Sequence, residues 1–453
     1  MNGFRLICGA LTSIVLVALL SLHSTAHAES SSDWIVFENV HVLTMADGRD
    51  NPIRRNYMVF VQGDRIEALA PMGSLAVPEG ATRIDGAGRY LMPGLAEMHG
   101  HVPPMQSFEG IPERYLDDAL FLYLAGGVTT VRGMLGHPHQ LRLKEDIANG
   151  TRVGPTLYLA GPSFNGNTVT SEQQGRERVR DHVAEGWDLL KIHPGLSLRN
   201  FQAVADEAKE RGIDFAGHVP TDVGIRHAVI LGIRTVDHLD GYMAEIDGFE
   251  NEVSDEDLRE LAQFTRAHNV GVVPTMALWE TIIGAGDRDE LLSFDELQYV
   301  PQRVREGWIN FLNEPRSQYY TGETARLHAE NRRRLLAALY EEGVEILLGT
   351  DAPQLFSVPG LSMRREIPHM AAAGMSNYSI IYSGTVAVGR YFAEQDAFGQ
   401  VMPGQRADLL LVSGNPLESI DSVYDPELVV VRGHVWTRDQ LDKKLAEIAE
   451  AYR

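Results

Sequence analysis

The chain has 453 residues, 44% of them hydrophobic, enough for one large α/β domain with a smaller appended unit. Its 62 acidic residues against 40 basic ones give a formal charge of −22, a surface unsuited to nucleic acid or anionic lipid, which want basic patches. The one cysteine, Cys8, lies in the N-terminal leader, so a processed chain has no disulfide and no thiolate, which leaves His, Asp, Glu and Lys as candidate metal ligands.

Residues 1–28 read as a secretory signal. Arg5 supplies the positive start, Leu6 to Leu22 the apolar run, and Ala26-His27-Ala28 the small-residue cleavage pattern. Gly9, Thr12 and Ser13 interrupt the run, and Cys8 stands early in it, which argues against a retained anchor and against lipid attachment. The expectation is cleavage after Ala28, a secreted or periplasmic location, and no stable membrane anchor afterwards.

From residue 33 to residue 92 the pattern is short β-rich runs broken by Gly, Asp, Asn and Pro: Ile35–Phe37, Val40–Leu43, Met58–Val61 and Ile66–Leu69. The next run ends in Met98-His99-Gly100-His101. Side chains on a strand alternate faces, so His99 and His101 point the same way and can share one metal ion. A lone His-x-His is weak evidence. Lys191, His218, His238 and Asp351 strengthen it, because each stands near the end of an apolar, strand-like run.

Those runs are Val128–Val131, Thr156–Ala160, Leu189–Ile192, Phe215–His218, Thr235–His238, Gly271–Pro274 and Ile346–Gly349. Helical patterns lie between them, for example Asn200 to Arg211, Asp255 to Ala267 and Thr324 to Glu342. With the strand before His99 this makes eight strands alternating with helices, the arithmetic of a (β/α)8 TIM barrel over residues 93–400. Strand character returns at Ala407–Val412 and Leu428–Val431, and a helix from about Arg438 to Ala451 closes the chain. The expected organisation is a small composite β-domain from residues 29–92 and 401–436, and a terminal helix within 437–453. Trp279 to about Thr324 breaks the alternation; it is long and aromatic, and reads either as a helical lid over the barrel mouth or as a surface excursion.

The ordered set resembles the amidohydrolase superfamily, on Pro93-Gly94-Leu95 leading to Met98-His99-Gly100-His101, on Gly349-Thr350-Asp351-Ala352, and on the tail Gly404-Gln405-Arg406-Ala407-Asp408-Leu409. Within it the chain looks most like the imidazolonepropionase- and prolidase-related branch, where Gly-Val-Thr-Thr-Val-Arg on the second strand is usual; here it is Gly127 to Arg132. The resemblance implies two divalent metal ions; zinc suits imidazole and carboxylate donors, and manganese, cobalt or iron would also fit them. His99, His101 and Asp351 would hold the first metal and His218 and His238 the second, with Lys191, carboxylated by CO2, bridging both.

Asp351 is then also the proton-transfer residue, and Tyr242 is a candidate to steady the oxyanion, against a packed loop tyrosine. Arg132, His137 and His193 are candidate substrate contacts; Gly133 after Arg132 departs from the Asp common in relatives. His41, His268, His328 and His434 read as surface or packing residues. The implied activity is cleavage of an amide bond in an Xaa-Pro or other dipeptide or an N-acyl amino acid. A lactone, ester or cyclic amide on the same scaffold is the alternative, and a non-catalytic periplasmic metal-binding protein the reading from another class. The partner is a small molecule; a homo-oligomer stays open.

Overall fold

A computed structural model describes residues 33–49, 52–103, 111–314 and 318–453. The signal sequence lies outside the described residues. Among those described, no helix is long and apolar enough to cross a membrane.

The N-terminal strands are β1 (Trp34–Leu43), β2 (Ile53–Gln62), β3 (Arg65–Pro71), β4 (Thr82–Asp85) and β5 (Tyr90–Pro93). Then come β6 (Leu95–Gly100), β7 (Val128–Gly133), β8 (Thr156–Leu159), β9 (Leu189–Ile192), β10 (Asp214–Gly217), β11 (Thr235–Asp237) and β12 (Gly271–Val273). The tail adds β13 (Leu409–Val412), β14 (Leu428–Val431) and β15 (His434–Thr437).

Both chain ends share one sheet, in the order β15-β14-β13-β5-β1-β2-β3, with β4 paired to β1. Its strands alternate in and out, so Phe37, Val59, Val61, Leu91, Leu409 and Val430 pack on one face while Val36, Met58 and Phe60 pack on the other. Pro93-Gly94 joins this sheet to the parallel strands, with Gly94 N–H donating to Asp408 C=O (2.9 Å).

The parallel strands form two sheets, β6-β7-β8 and β12-β11-β10-β9. An Ala160–Leu189 bridge connects one to the other. Their residues are buried on both faces, as parallel strands covered by helices are.

The expected eighth strand appears only as a bridge between Val272 and Ile346. On its other side Met98 N–H reaches Leu348 C=O (2.9 Å), but Leu348 N–H turns to Ser383 and Ala96 N–H to Gly384. The segment after the helix Asn377–Ser383 therefore takes ladder bonds that β6 would otherwise make. Hydrogen bonds still bring Asp351 beside the first strand, since Asp351 N–H donates to His99 C=O (2.7 Å).

Candidate metal centre

Each candidate ligand stands at the C-terminal end of its strand: His99 in β6 with His101 just beyond, Lys191 in β9, His218 after β10, His238 after β11, and Asp351 beyond the Ile346 bridge. The structure brings all six together. Donor atoms of His99, His101 and Asp351 lie within 4.8 Å of one another. His101 Nε2 is 2.6 Å from Asp351 Oδ1, and His99 Nε2 is 3.0 Å from Lys191 Nζ. The His238 ring lies 4.4 Å from that of His99 and 4.5 Å from that of His218.

Two glycines make this approach possible. A Cβ on Gly217 would meet Ile192 O at 2.6 Å and Lys191 Cδ at 3.0 Å, and its φ of +122° suits glycine. A Cβ on Gly349 would meet His99 N at 2.8 Å. His238, Thr275 and Asp351 hold φ of 64°, 45° and 61°, a left-handed conformation that side chains other than glycine adopt at a cost of about 1–3 kcal/mol each.

Partners behind the cluster orient the imidazoles. Asp237 Oδ2 takes His99 Nδ1–H (2.7 Å), so Nε2 of His99 presents its lone pair to the cluster. Asp240 holds His218 Nδ1 (2.6 Å) and Thr275 holds His238 Nδ1 (2.8 Å). His238 Nε2 is then buried with no partner, which a metal ion would satisfy. Burial, with the Lys191 charge second, drives the His99 pKa down and keeps the ring neutral, as a ligand must be. The residues present therefore fit a divalent cation.

Lys191 is fully buried, and among the described residues no carboxylate lies within ion-pair distance of it. Burial pushes its pKa down to about 8, against the pull of Asp237 and Asp351. Glu97, also fully buried, accepts from Thr350 N–H (2.7 Å), Thr350 Oγ1 (2.6 Å) and His99 N–H (3.0 Å), tying the first strand to Asp351's neighbour. Burial pushes this carboxyl up to about 8.

Two expectations are corrected. Arg132 does not line the cavity beside the ligand cluster. It is completely buried, and its five N–H groups go to Met98 O, Thr235 Oγ1, Tyr391 OH and both Asp237 oxygens. Tyr242 does not line that cavity either. Its buried hydroxyl bonds Thr265 Oγ1 (2.8 Å), because the side chain starts the short helix Tyr242–Glu245 pointing into the core, while Met243 and Ala244 line the cavity.

His193 does line that cavity, of about 500 Å³, with Nδ1 on Ser163 Oγ (2.8 Å) and its ring stacked 5.0 Å from that of His218. His137 lines an adjoining, mostly apolar chamber of about 770 Å³ that shares His101, Leu135 and Gln354 with the first. His328, expected to pack away from the site, also lines the ligand cavity.

The sequence reading missed Asp237, Asp240, Thr275 and Glu97. A signal existed for two of them: Asp237 and Glu97 are acids within apolar strand runs, and a buried carboxylate needs partners.

Imidazoles, a lysine and an aspartate gathered at successive strand ends of an α/β fold make a candidate site for divalent cations. The Amidohydrolase family model matches residues 90–436, and the chain belongs to that family. It is 23% identical over 376 residues to an adenine deaminase of Rubrobacter xylanophilus, covering 80% of this chain and 51% of that protein. It is 37% identical over 179 residues to an imidazolonepropionase of Stenotrophomonas maltophilia, covering 39% and 36%. The chain thus spans about half of the first relative and about a third of the second. Among solved structures, bottromycin amidohydrolase superposes with a TM-score of 0.71 at 22% identity, over 93% of this chain and 91% of that one. A Xaa-Pro dipeptidase with bound methionine in its active site gives 0.68 at 18%, over 89% and 100%. At these identities the likeness is one of fold.

Proposed function

We propose that this chain is a binuclear metal-dependent hydrolase that cleaves an amide bond, with an Xaa-Pro or other dipeptide or an N-acyl amino acid as substrate. The observation that carries this reading is Lys191: buried, drawn toward neutrality, without a carboxylate partner, and 3.0 Å from a candidate ligand atom. A neutral amine adds to CO2 and loses a proton to become a carbamate, which would supply the anion this place lacks. His99, His101 and Asp351 would hold one cation and His218 and His238 the other, with the Lys191 carbamate between them; zinc suits these donors. The bound ions would supply an acidified water and Lewis acidity toward the carbonyl.

Asp351 takes the proton at a carboxylate oxygen as attack proceeds and gives it to the leaving amine. Its carboxylate stands among the candidate ligand atoms of His99 and His101, where the water would be held. Asp237, Asp240 and Thr275 hold the imidazoles in place, and Arg132 acts through Asp237 as a positioning residue.

On the same reading the bridges through Ala160–Leu189 and Val272–Ile346 and the Met98–Leu348 bond close the parallel strands into a (β/α)8 barrel, with the two-ended sheet as a flanking β-domain. The leader sends the processed chain to the periplasm or outside the cell.

A panel of dipeptides, N-acyl amino acids, lactones and esters tests the proposal. Amine release from carboxylate-bearing amides, lost on chelation and restored by Zn2+, is the expected result. Turnover of lactones or esters alone would overturn the amide assignment, and turnover of nothing would favour a metal-binding protein.

A further inference from the structure

The helix Gly322–Glu341 presents His328 and Arg332, one turn apart, to the ligand cavity, and each is only 3% exposed. Arg332 Nη1 donates to His238 C=O (2.8 Å) and Nη2 reaches Pro274 C=O at 3.5 Å, which leaves guanidinium N–H groups unused. No carboxylate lies within ion-pair distance of Arg332 among the described residues, although Arg332 is buried. Asp240 and Glu366 oppose its burial only from beyond ion-pair distance, and a buried cation so weakly compensated favours an anion beside it.

Two further polar atoms of the same cavity wall lack partners. His328 Nδ1 is buried without one, its ring flanked by Phe249 and Tyr320 at 5.3 Å and 5.2 Å. Trp279 Nε1–H is also buried without an acceptor, and the Arg332 guanidinium lies over the Trp279 ring at 5.2 Å. Arginine and indole N–H groups only donate, and the imidazole can donate, so this wall suits an acceptor.

We propose that Arg332, Trp279 and His328 form the recognition site for the free carboxylate of the substrate, on the side of the leaving amine. One hydrogen bond ties Arg332 to the backbone of a candidate ligand. Arg332 grips the carbonyl of His238, whose ring belongs to the ligand cluster, and the carboxylate carbon of an N-acyl amino acid stands only two bonds beyond the scissile nitrogen, about 2.5 Å away. A bidentate guanidinium–carboxylate pair in a water-poor pocket then selects amino-acid amides over neutral lactones, esters and simple amides.

This inference rests on the amide-hydrolase reading, and the test separates the two. Binding of N-acetyl-L-proline and of N-acetyl-L-prolinamide to the metal-loaded protein is measured by calorimetry, alongside hydrolysis of both. The acid is expected to bind about 10- to 100-fold tighter than the amide, as loss of a charged hydrogen-bonded pair would dictate. Arg332→Met should bring that ratio close to one, Arg332→Lys should keep part of it, and Trp279→Phe should lower it about threefold to tenfold. If Arg332→Met does not fold, the wild-type ratio and Trp279→Phe decide. Equal binding of acid and amide by the wild-type protein would overturn the carboxylate site while leaving amide hydrolysis standing. A strong acid preference with no turnover would do the reverse.

Discussion

Asp237 serves two groups at once, holding the Nδ1 of His99 and both Nη2 contacts of Arg132, all without exposure to solvent. Asp237→Asn weakens the orientation of His99 and leaves Arg132 as an uncompensated buried charge. We predict a loss of about 10- to 100-fold in metal affinity and of about 3–5 kcal/mol in stability, read by competition with a chelator and by denaturant titration. Unchanged metal affinity would show that His99 needs no such support. Tyr242→Phe separates two roles for that residue: because its hydroxyl serves Thr265, kcat should stay within about twofold and stability fall by about 0.5–1.5 kcal/mol. A hundredfold fall in kcat would return Tyr242 to the chemistry. At this scale the ligand positions were legible because a histidine, lysine or aspartate at the end of an apolar strand is a local pattern. The contact of Arg132 with Asp237 was not, since it joins residues 105 positions apart and depends on which strands become neighbours.

Elements with their own end signals were equally legible. The helix Asp255–Ala267 begins at Ser254, whose hydroxyl accepts from Asp257 N–H, and the helix Arg438–Ala451 begins with a capping box between Thr437 and Gln440. The eighth strand was less so, because the bonds that would complete it are given to Ser383 and Gly384, remote in sequence. Between the helices Glu172–Glu185 and Leu198–Arg211, the carboxylate of Glu207 receives Arg180 and Arg211, and these hydrogen bonds hold its pKa down at about 2. A depressed carboxyl adds stability that is full above the ordinary glutamate range and is lost as pH falls toward 2. In Glu207→Gln the fall in Tm between pH 5 and pH 3 should therefore be smaller than in wild type, by about 1–3 °C. An identical acid slope in the two proteins would remove Glu207 from the account.

On the scale of the molecule, the tail motif around Arg406 joins the two-ended sheet to the parallel strands. Arg406 is 2% exposed and bonds Asp408 (2.9 Å), Asp396 (2.7 Å) and Thr130 on β7 (2.5 Å). Arg406→Met strips the buried Asp408 of its cation, while Asp396 keeps Arg65 (2.9 Å), and should cost about 3–5 kcal/mol in denaturant unfolding; a cost below about 1 kcal/mol would mean that Arg406 contributes little to holding the two parts together. The pairing of both chain ends in one sheet could be anticipated from strand-like runs at each end, whereas this polar joint could not, since its members come from three separate segments.

The central claim is a pair of metals bridged through a modified lysine, and metal content per chain tests it most directly, on protein purified without chelators, beside Lys191→Ala. The account predicts about two metal ions per chain in the wild-type protein, falling to one or none in the variant. One ion per chain, unchanged by loss of the lysine, would contradict it.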